Sequence, residues 1–372
     1  ARYDVLHAAG GVSGSFSSVA ADPSFAGYLI PAVRYGTNDV ELSLDPAAAF
    51  FNGGQQAADL QTAILGAAAG VGDAVLADGC GASARRSLSP EDGCVVHQLG
   101  AGFRSEAWLR GLGGIGNLYG SGARSSFTDN YAGMLVGYGI GFGHFTVGLG
   151  GGYLATGLNF SDGSSASQNA GLGFAYGRYV QGRLRVGGMA AYGGGQVDGS
   201  RVIPATGLAA TGNRGASFGL FAVRAAYDVP LGPWVLEPRA SFAYLHAHQG
   251  GFTETGASLL DLTYDSLNTD ESDATLSLRV SRSFALQSWQ LSPWIEAGVQ
   301  ETFSGTSRTA SVSAGPFSAT VAGVSPAPTA GTAGVGIRFA ANRNLVGFLR
   351  YQGLLSANQT ASAFSAGIRY RF

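Results

Sequence analysis

From about residue 104 to the end of the chain, apolar and polar side chains alternate one by one, the period of a β-strand with two unlike faces. The final stretch is the clearest. Phe364, Ala366, Ile368, Tyr370 and Phe372 fall on one face, and Ser365, Gly367, Arg369 and Arg371 on the other. Further upstream, Ala132, Met134, Val136, Tyr138, Ile140 and Phe142 oppose Gly133, Gly137, Gly139 and Gly141. One face suits hydrocarbon and the other suits water. Alternation and turn chemistry predict twelve strands, near 104–117, 129–141, 144–158, 169–180, 183–197, 215–229, 234–248, 273–285, 290–303, 331–340, 345–355 and 361–372. Tight connections follow strands two, four, six, eight and ten: Gly141-Phe142-Gly143, Gln181-Gly182, Pro230-Leu231-Gly232-Pro233, Leu286-Gln287-Ser288 and Asn342-Arg343-Asn344. Those after strands one, three, five, seven and nine read as long loops rich in Ser, Gly, Thr and Asp, such as 198–214, 249–272 and 304–330. Short turns on one rim and long loops on the other are the habit of transmembrane β-barrels, and an even strand number brings Phe372 to the short-turn, periplasmic rim.

Composition narrows the class. Only 12% of the 372 residues are charged and 60 are glycine, yet no window approaches the ~18 apolar residues of a membrane-spanning helix. Glycine without a three-residue period excludes collagen, and 45% hydrophobic residues argue against disorder. A net charge of −2 offers no electrostatic basis for nucleic-acid binding. The fold class expected is an all-β membrane protein, a 12-stranded antiparallel barrel of the bacterial outer membrane. Gly367, Tyr370 and Phe372 resemble the terminal signal that outer-membrane barrels present to their insertion machinery. No signal peptide opens the chain, so Ala1 is expected to lie within a longer precursor.

The inward face carries little bulk. Besides the glycines near 133–141, Gly148, Gly150 and Gly152 of the third strand and Gly171, Gly173 and Gly177 of the fourth are expected to line the bore. Eight-stranded barrels fill with their own side chains and sixteen-stranded ones hold a water channel, so twelve strands leave room for one helix about 10 Å across. Residues 55–78 are the candidate. This stretch, which opens Gln55-Gln56-Ala57, has no aromatic and no proline, and Leu60, Ile64 and Val71 fall near one face. Gly66, Gly70 and Gly72 each cost about 1 kcal/mol relative to alanine, which weakens the second half. Upstream, Tyr3–Phe16, Tyr28–Tyr35 and Asp39–Phe50 read as short strands, like the last rungs of an extended β structure.

Several of these segments resemble one family. Gly10-Gly11-Val12-Ser13-Gly14-Ser15-Phe16, the Tyr35 to Leu44 strand pair, and Asn52 with Gln55-Gln56-Ala57 are similar to the passenger end and linker of the bacterial autotransporters, the type V secretion family. In the barrel, Trp108-Leu109-Arg110, Leu236-Glu237-Pro238, Phe252-Thr253-Glu254-Thr255-Gly256-Ala257 and Pro293-Trp294-Ile295-Glu296 resemble recurring strand segments of that family. The resemblance implies three parts: 1–51 as the passenger end built of β-helix rungs, 52–98 as a linker with a lumenal helix, and 99–372 as the translocator barrel. It implies that the barrel exports its N-terminal passenger and anchors it, with the helix as plug. The partners implied are outer-membrane lipid, the barrel-assembly machinery, periplasmic chaperones and the passenger itself, with no cofactor and no enzymatic step.

Cys80 and Cys94 depart from that family's usual linker. Thirteen intervening residues could close a disulfide in an oxidising periplasm, with ~3 kcal/mol of stabilisation, and two cysteines with His97 fall short of a metal-ligand set. Arg110, Arg185, Arg224, Arg279, Arg338, Arg350 and Arg369 all have inward parity and are expected to make the bore cationic, with Glu106, Glu237 and Glu296 as partners. They could hold the helix dipole, or simply hydrate a wet lumen.

Catalytic patterns fare poorly. Gly215-Ala216-Ser217-Phe218-Gly219 has nucleophile-elbow spacing, but Ser217 opens a barrel strand and shares parity with Phe221, Val223 and Tyr227. Gly111 to Gly116 matches a dinucleotide fingerprint with no helix behind it. His246 and His248 share the face of Phe242 and Tyr244, which suits an interfacial belt better than a metal. Two alternatives stay open: an outer-membrane barrel hydrolase of protease or phospholipase type, for which His246 and His248 are the only start, and a passive pore or adhesin.

Overall fold

A computed structural model describes residues 2–20, 28–77, 104–203, 206–286, 289–341 and 344–372. A small sheet comes first: β1 (Arg2–His7), β2 (Leu29–Tyr35) and β3 (Asp39–Pro46). They pair in the order β1-β3-β2, antiparallel throughout. The expectation of β-helix rungs is therefore corrected, because rungs stack in parallel. At one end of the sheet Asp39 bonds the His7 imidazole, and this carboxylate holds His7 above its usual pKa. A 3-10 turn at Ala48–Phe51 leads into α1 (Gly53–Leu76), close to the 55–78 expected.

The barrel follows. Its long strands are β4 (Arg104–Leu118), β5 (Phe127–Phe142), β6 (Phe145–Phe160), β7 (Ser165–Gln181), β8 (Leu184–Ile203) and β9 (Leu208–Tyr227), and then, past the short β10 (Val229–Leu231), β11 (Trp234–Gln249). Two short strands, β12 (Phe252–Thr253) and β13 (Thr263–Tyr264), precede β14 (Leu267–Arg282), β15 (Phe284–Leu286) and β16 (Trp289–Ser304). The hairpin β17 (Thr309–Ala314) and β18 (Phe317–Ala322) precedes β19 (Thr329–Ala340), β20 (Leu345–Ser356) and β21 (Gln359–Arg371). Each long strand pairs antiparallel with the next, and β21 pairs with β4, so the ring closes. The Phe372 amide donates to the Ser105 carbonyl at 2.9 Å, which fastens the chain end to the first strand. Gly143, Gly182 and Gly232 take the left-handed conformation that the tight turns require.

The other rim differs from expectation. The stretches 198–214 and 159–168 are mostly strand, since β8 and β9 each run 20 residues and β6 pairs with β7 as far as Asn159 and Ser165. A strand needs only about 9–11 residues to cross the hydrocarbon, so these hairpins stand well above the bilayer. The 249–272 and 304–330 connections are also ordered. β12, β13, β17 and β18 form a separate four-stranded sheet. Its core of Leu262, Tyr264, Ala310 and Val312 takes in Phe50, Phe51, Ala57 and Ala58 from the segment entering the barrel.

Side-chain parity sorts as the alternation predicts in most strands. Met134, Val136, Tyr138 and Ile140 are exposed outward, and Phe364, Ile368, Tyr370 and Phe372 form the outer face of the last strand. Aromatic pairs edge the short-turn rim: Phe142 with Phe145, Phe145 with Tyr179, Trp289 with Phe339, and Tyr370 with Phe372. One strand is reversed. Gly171 and Gly173 lie exposed on the outer face with Gly177 in the same parity, while Leu172, Phe174 and Tyr176 point inward and are buried. The inward glycines of β5 and β6 therefore make room for aromatic side chains as much as for a helix. A Cβ on Gly150 would collide with the Phe174 ring, and one on Gly148 would collide with Tyr176.

Gly150→Val should therefore lower barrel stability by about 1–3 kcal/mol or prevent assembly, because the Val136 carbonyl also blocks the added carbon. Gly171→Val, with nothing within 4 Å, should be tolerated. Heat-modifiable gel mobility and urea unfolding in detergent or liposomes check both. Equal behaviour of the two variants would contradict the parity described.

Candidate functional site

The site is the lumenal helix and the wall that holds it. Alanine-rich and free of proline, α1 stays helical through Leu76 despite its three interior glycines, because the barrel wall supplies what propensity lacks. Leu60, Ile64, Val71 and Val75 are at most 1% exposed. They pack on an apolar arc of the inner wall that includes Leu112, Leu135, Leu154, Leu158, Phe218, Leu220 and Leu245. Two of the glycines sit where the wall comes close. A Cβ on Gly70 would lie 2.6 Å from the Tyr131 hydroxyl, and one on Gly72 would lie 3.2 Å from Leu220.

Both ends of the helix are tied to named wall groups. At its start, Asn52 makes no side-chain cap. Gln55 instead pairs with the backbone of the β4–β5 connection, donating to the Ser125 carbonyl at 2.7 Å and accepting from the Ser125 amide at 3.0 Å. Gln56 donates to the carbonyls of Ser165 and, at 3.1 Å, Ser200. Gln249 donates to the Ala57 carbonyl at 3.0 Å and is itself held by Arg214. Asp59 accepts from the Val324 amide at 2.7 Å and from Gln55. All these groups belong to the rim opposite the tight turns.

At the other end, Arg110 donates to the Ala74 carbonyl and Arg178 donates to that of Val75 at 3.3 Å. Cations at the unpaired carbonyls of a helix C-terminus are where the macrodipole favours them. Arg110 also lies over the Trp108 ring at 4.2 Å, and Trp108 donates to the Tyr176 hydroxyl at 2.9 Å. Between the ends, Asp73 pairs with Arg224 and, at 3.9 Å, with Arg350 on the opposite side of the bore.

The remaining arginines are not bare charge. Arg185 pairs with Asp228 and, at 2.6 Å, with Glu237. Glu237 lies 3.2 Å from Arg239, which reaches Glu296 at 2.6 Å, and Arg279 joins Glu296 at 2.7 Å while stacking on Trp294. This alternating ladder runs along the short-turn half of the wall. Inward arginines thus stand beside inward carboxylates, and Glu106, Glu296 and Asp73 each serve more than one of them.

Arg110, Arg185, Arg279, Arg350 and Arg369 are buried, and Arg224 and Arg338 are partly buried. Glu106 collects Arg178 at 3.3 Å and Arg369 at 3.8 Å. Gly367 lies where β21 passes Arg110, whose Cγ would sit 2.8 Å from an added Cβ. Sequence reasoning missed Asp59, Asp73, Arg178, Arg239 and Gln249. Arg239 was findable, since it shares parity with Glu237; Asp73 and Gln249 carry no such signal.

Cys80, Cys94 and the close of the predicted 55–78 helix at Asp78 lie outside the described residues. His246 and His248 are on the outer face, bonded at 2.8 Å to Asp270 and Asn268. Ser217 sits mid-strand, paired with Gly194 on one side and His248 on the other.

The family model for the autotransporter beta-domain matches residues 107–352. Three solved structures share the fold. The translocator domain of the autotransporter NalP from Neisseria meningitidis is 19% identical, with 73% of this chain and 89% of that one covered at a TM-score of 0.58. The β domain of the Bordetella autotransporter BrkA is 16% identical over 72% and 99%, with a TM-score of 0.59. The transport unit of AIDA-I from Escherichia coli is 16% identical over 72% and 90%, with a TM-score of 0.53. No curated protein matches the chain in sequence.

Glu296→Gln should cost about 3 kcal/mol of barrel stability, because it removes the carboxylate paired with the buried Arg279 and leaves the buried Arg239 with Glu237 alone. Asp73→Asn should cost less, since that carboxylate is 40% exposed to the lumen, and should act on the helix rather than the barrel. Urea unfolding monitored by tryptophan fluorescence, with protease access to α1 in the folded barrel, separates the two effects.

Proposed function

We propose, from the premise that this chain belongs to the autotransporter β-domain family, that α1 is the trailing segment of an exported passenger, kept in the bore as both plug and tether. The barrel is an outer-membrane translocator, and passenger export is the family's role. Within it we assign 1–51 to the end of the passenger, 52–98 to the linker and 99–372 to the translocator.

One observation carries this reading: the direction of the helix. Gln55 and Gln56 meet the rim of the long hairpins, and Ala74 and Val75 meet Arg110 and Arg178 nearer the rim of the tight turns. With the tight turns and Phe372 on the periplasmic side, the chain N-terminal to α1 is outside the cell. A segment that had been exported would end in this way, with its N-terminal part delivered and its last helix still threaded. The polar groups along the wall pair with the helix now, and would keep the bore wet enough for an unfolded chain to slide.

Insertion is assigned to the barrel-assembly machinery, with periplasmic chaperones carrying the precursor and Gly367, Tyr370 and Phe372 presented on the last strand. We assign no catalysis to the chain. That assignment is supported by the outward orientation of His246 and His248, from which a hydrolase site would have to start. Asp270, the carboxylate beside His246, is shared with the Tyr244 hydroxyl at 2.6 Å.

Two expected outcomes follow. Phe372→Ser should sharply lower the heat-modifiable barrel in outer membranes, and unchanged levels would argue against the assigned signal. Deletion of 1–78 should leave a barrel that folds but is less stable, with larger and longer openings in planar bilayers than the full chain. Equal conductance would place α1 outside the pore.

A further inference from the structure

The lipid face of the barrel carries one cation that stands in no ion pair among the described residues. The chain has no lysine, and every other arginine of the long barrel strands has inward parity. Arg282, at the end of β14, has outward parity instead, in one row with Leu276, Leu278 and Val280. It stands directly opposite Trp234, which opens β11 straight after the tight turn at Leu231 and Gly232. That register puts it at the short-turn rim, in the periplasmic headgroup layer, where an outward arginine costs far less than at the midplane.

Two aromatic rings hold the group while its donors stay unspent. The guanidinium carbon lies 5.5 Å from the centre of the Trp234 ring and 4.9 Å from that of Phe284, within cation–π range of both. Among the described residues the guanidinium has no hydrogen-bond acceptor, and neither has the Trp234 indole N–H. Toward the midplane, Pro238 and Ala240 of β11 lie exposed beside their partners Leu278 and Leu276 of β14. The six residues from Arg282 to Leu276 span about 20 Å of strand. Unspent donors at headgroup depth above an apolar strip match a molecule with a phosphate head and an acyl tail, and arginine takes phosphate oxygens in a bidentate geometry. Outward positions in 236–240 and 274–286 carry no carboxylate that could take up an ammonium group, so the charge favours a headgroup that is negative overall.

We propose that Arg282, Trp234 and Phe284 form a binding site for one anionic phospholipid of the periplasmic leaflet. Its phosphate sits on the guanidinium and the indole N–H, and an acyl chain lies along Pro238, Ala240, Leu276 and Leu278. The site needs only the barrel and its orientation in the membrane, not the place of α1 or the export of a passenger.

The test is lipid retention by the folded full 1–372 chain, read by native mass spectrometry from detergent, with phosphatidylglycerol and phosphatidylethanolamine of matched acyl chains as probes. One phosphatidylglycerol should stay bound under conditions that strip phosphatidylethanolamine. Arg282→Gln should weaken that retention several-fold in a barrel that remains heat-modifiable. Arg183→Gln, which removes an exposed arginine from a tight turn of the same rim, should change nothing. A second measurement needs no variant. In vesicles that mix the two lipids, phosphatidylglycerol with brominated chains should quench the fluorescence of the lipid-facing Trp234 and Trp289 more than brominated phosphatidylethanolamine at the same mole fraction. Equal retention of the two lipids, retention of phosphatidylglycerol that survives Arg282→Gln, or an equal loss with Arg183→Gln overturns the site. Equal quenching by the two brominated lipids overturns it as well.

Discussion

Closure of β21 onto β4 is the constraint on which the rest of the molecule depends. In hydrocarbon an unbonded backbone group costs several kcal/mol, so a twelve-strand sheet crosses a bilayer only as a ring with no free edge. The ladder from Gln359 opposite Leu118 to Arg371 opposite Glu106, finished by the Phe372 amide, provides that ring. Once it is closed, side-chain parity leaves one choice at each position, lipid or lumen. Ile368 and Tyr370 go to lipid, and Arg369 goes to the interior beside Glu106. Everything polar that the strands carry on the inner face must then find partners in a confined space.

The lumen resolves this by division. One arc is apolar and takes the buried face of α1; the ladder from Asp228 to Arg279 neutralises itself along the wall. The helix binds through its ends and through Asp73, while Leu60, Ile64 and Val71 supply apolar contact. Glutamine amides at its start, carbonyls at its end and the Asp73 carboxylate between them each meet a wall group at the matching depth. The sheet of β12, β13, β17 and β18 adds a lock above, since Phe50 and Phe51 complete its core.

Much of this was legible in the sequence because a barrel strand carries its fold in a two-residue period. The twelve strands, the tight turns and the slender helix could be read from alternation, from glycine at turn positions and from the absence of aromatics in 55–78. What failed did so where that period is ambiguous. In β7, glycine alternates with Leu172, Phe174 and Tyr176, and nothing local says that the large residues go inward; the glycines of the neighbouring strand decide it. The long hairpins read as loops in the sequence because Ser, Thr and Gly above the membrane need no apolar face. The rungs expected before the helix proved antiparallel, since pairing direction is not encoded in a single strand. The pairing of Asp73 with Arg224 was out of reach, because 151 residues separate them and only closure brings them together.

The placement of α1 inside the ring against β9 is the claim on which the functional reading turns, and one pair of positions tests it directly. A Cβ on Gly72 would lie 3.8 Å from that of Ala222, within the range a disulfide spans. With Cys80 and Cys94 replaced by serine, the Gly72→Cys, Ala222→Cys protein should form an intramolecular disulfide on mild oxidation of the folded barrel in membranes. Quantitative mobility shift or mass spectrometry of the cross-linked peptides would show it, and the Gly66→Cys, Ala222→Cys pair should stay reduced. A folded Gly72→Cys, Ala222→Cys barrel whose two introduced thiols remain free under the same oxidant would contradict the lumenal helix and the account of export built on it.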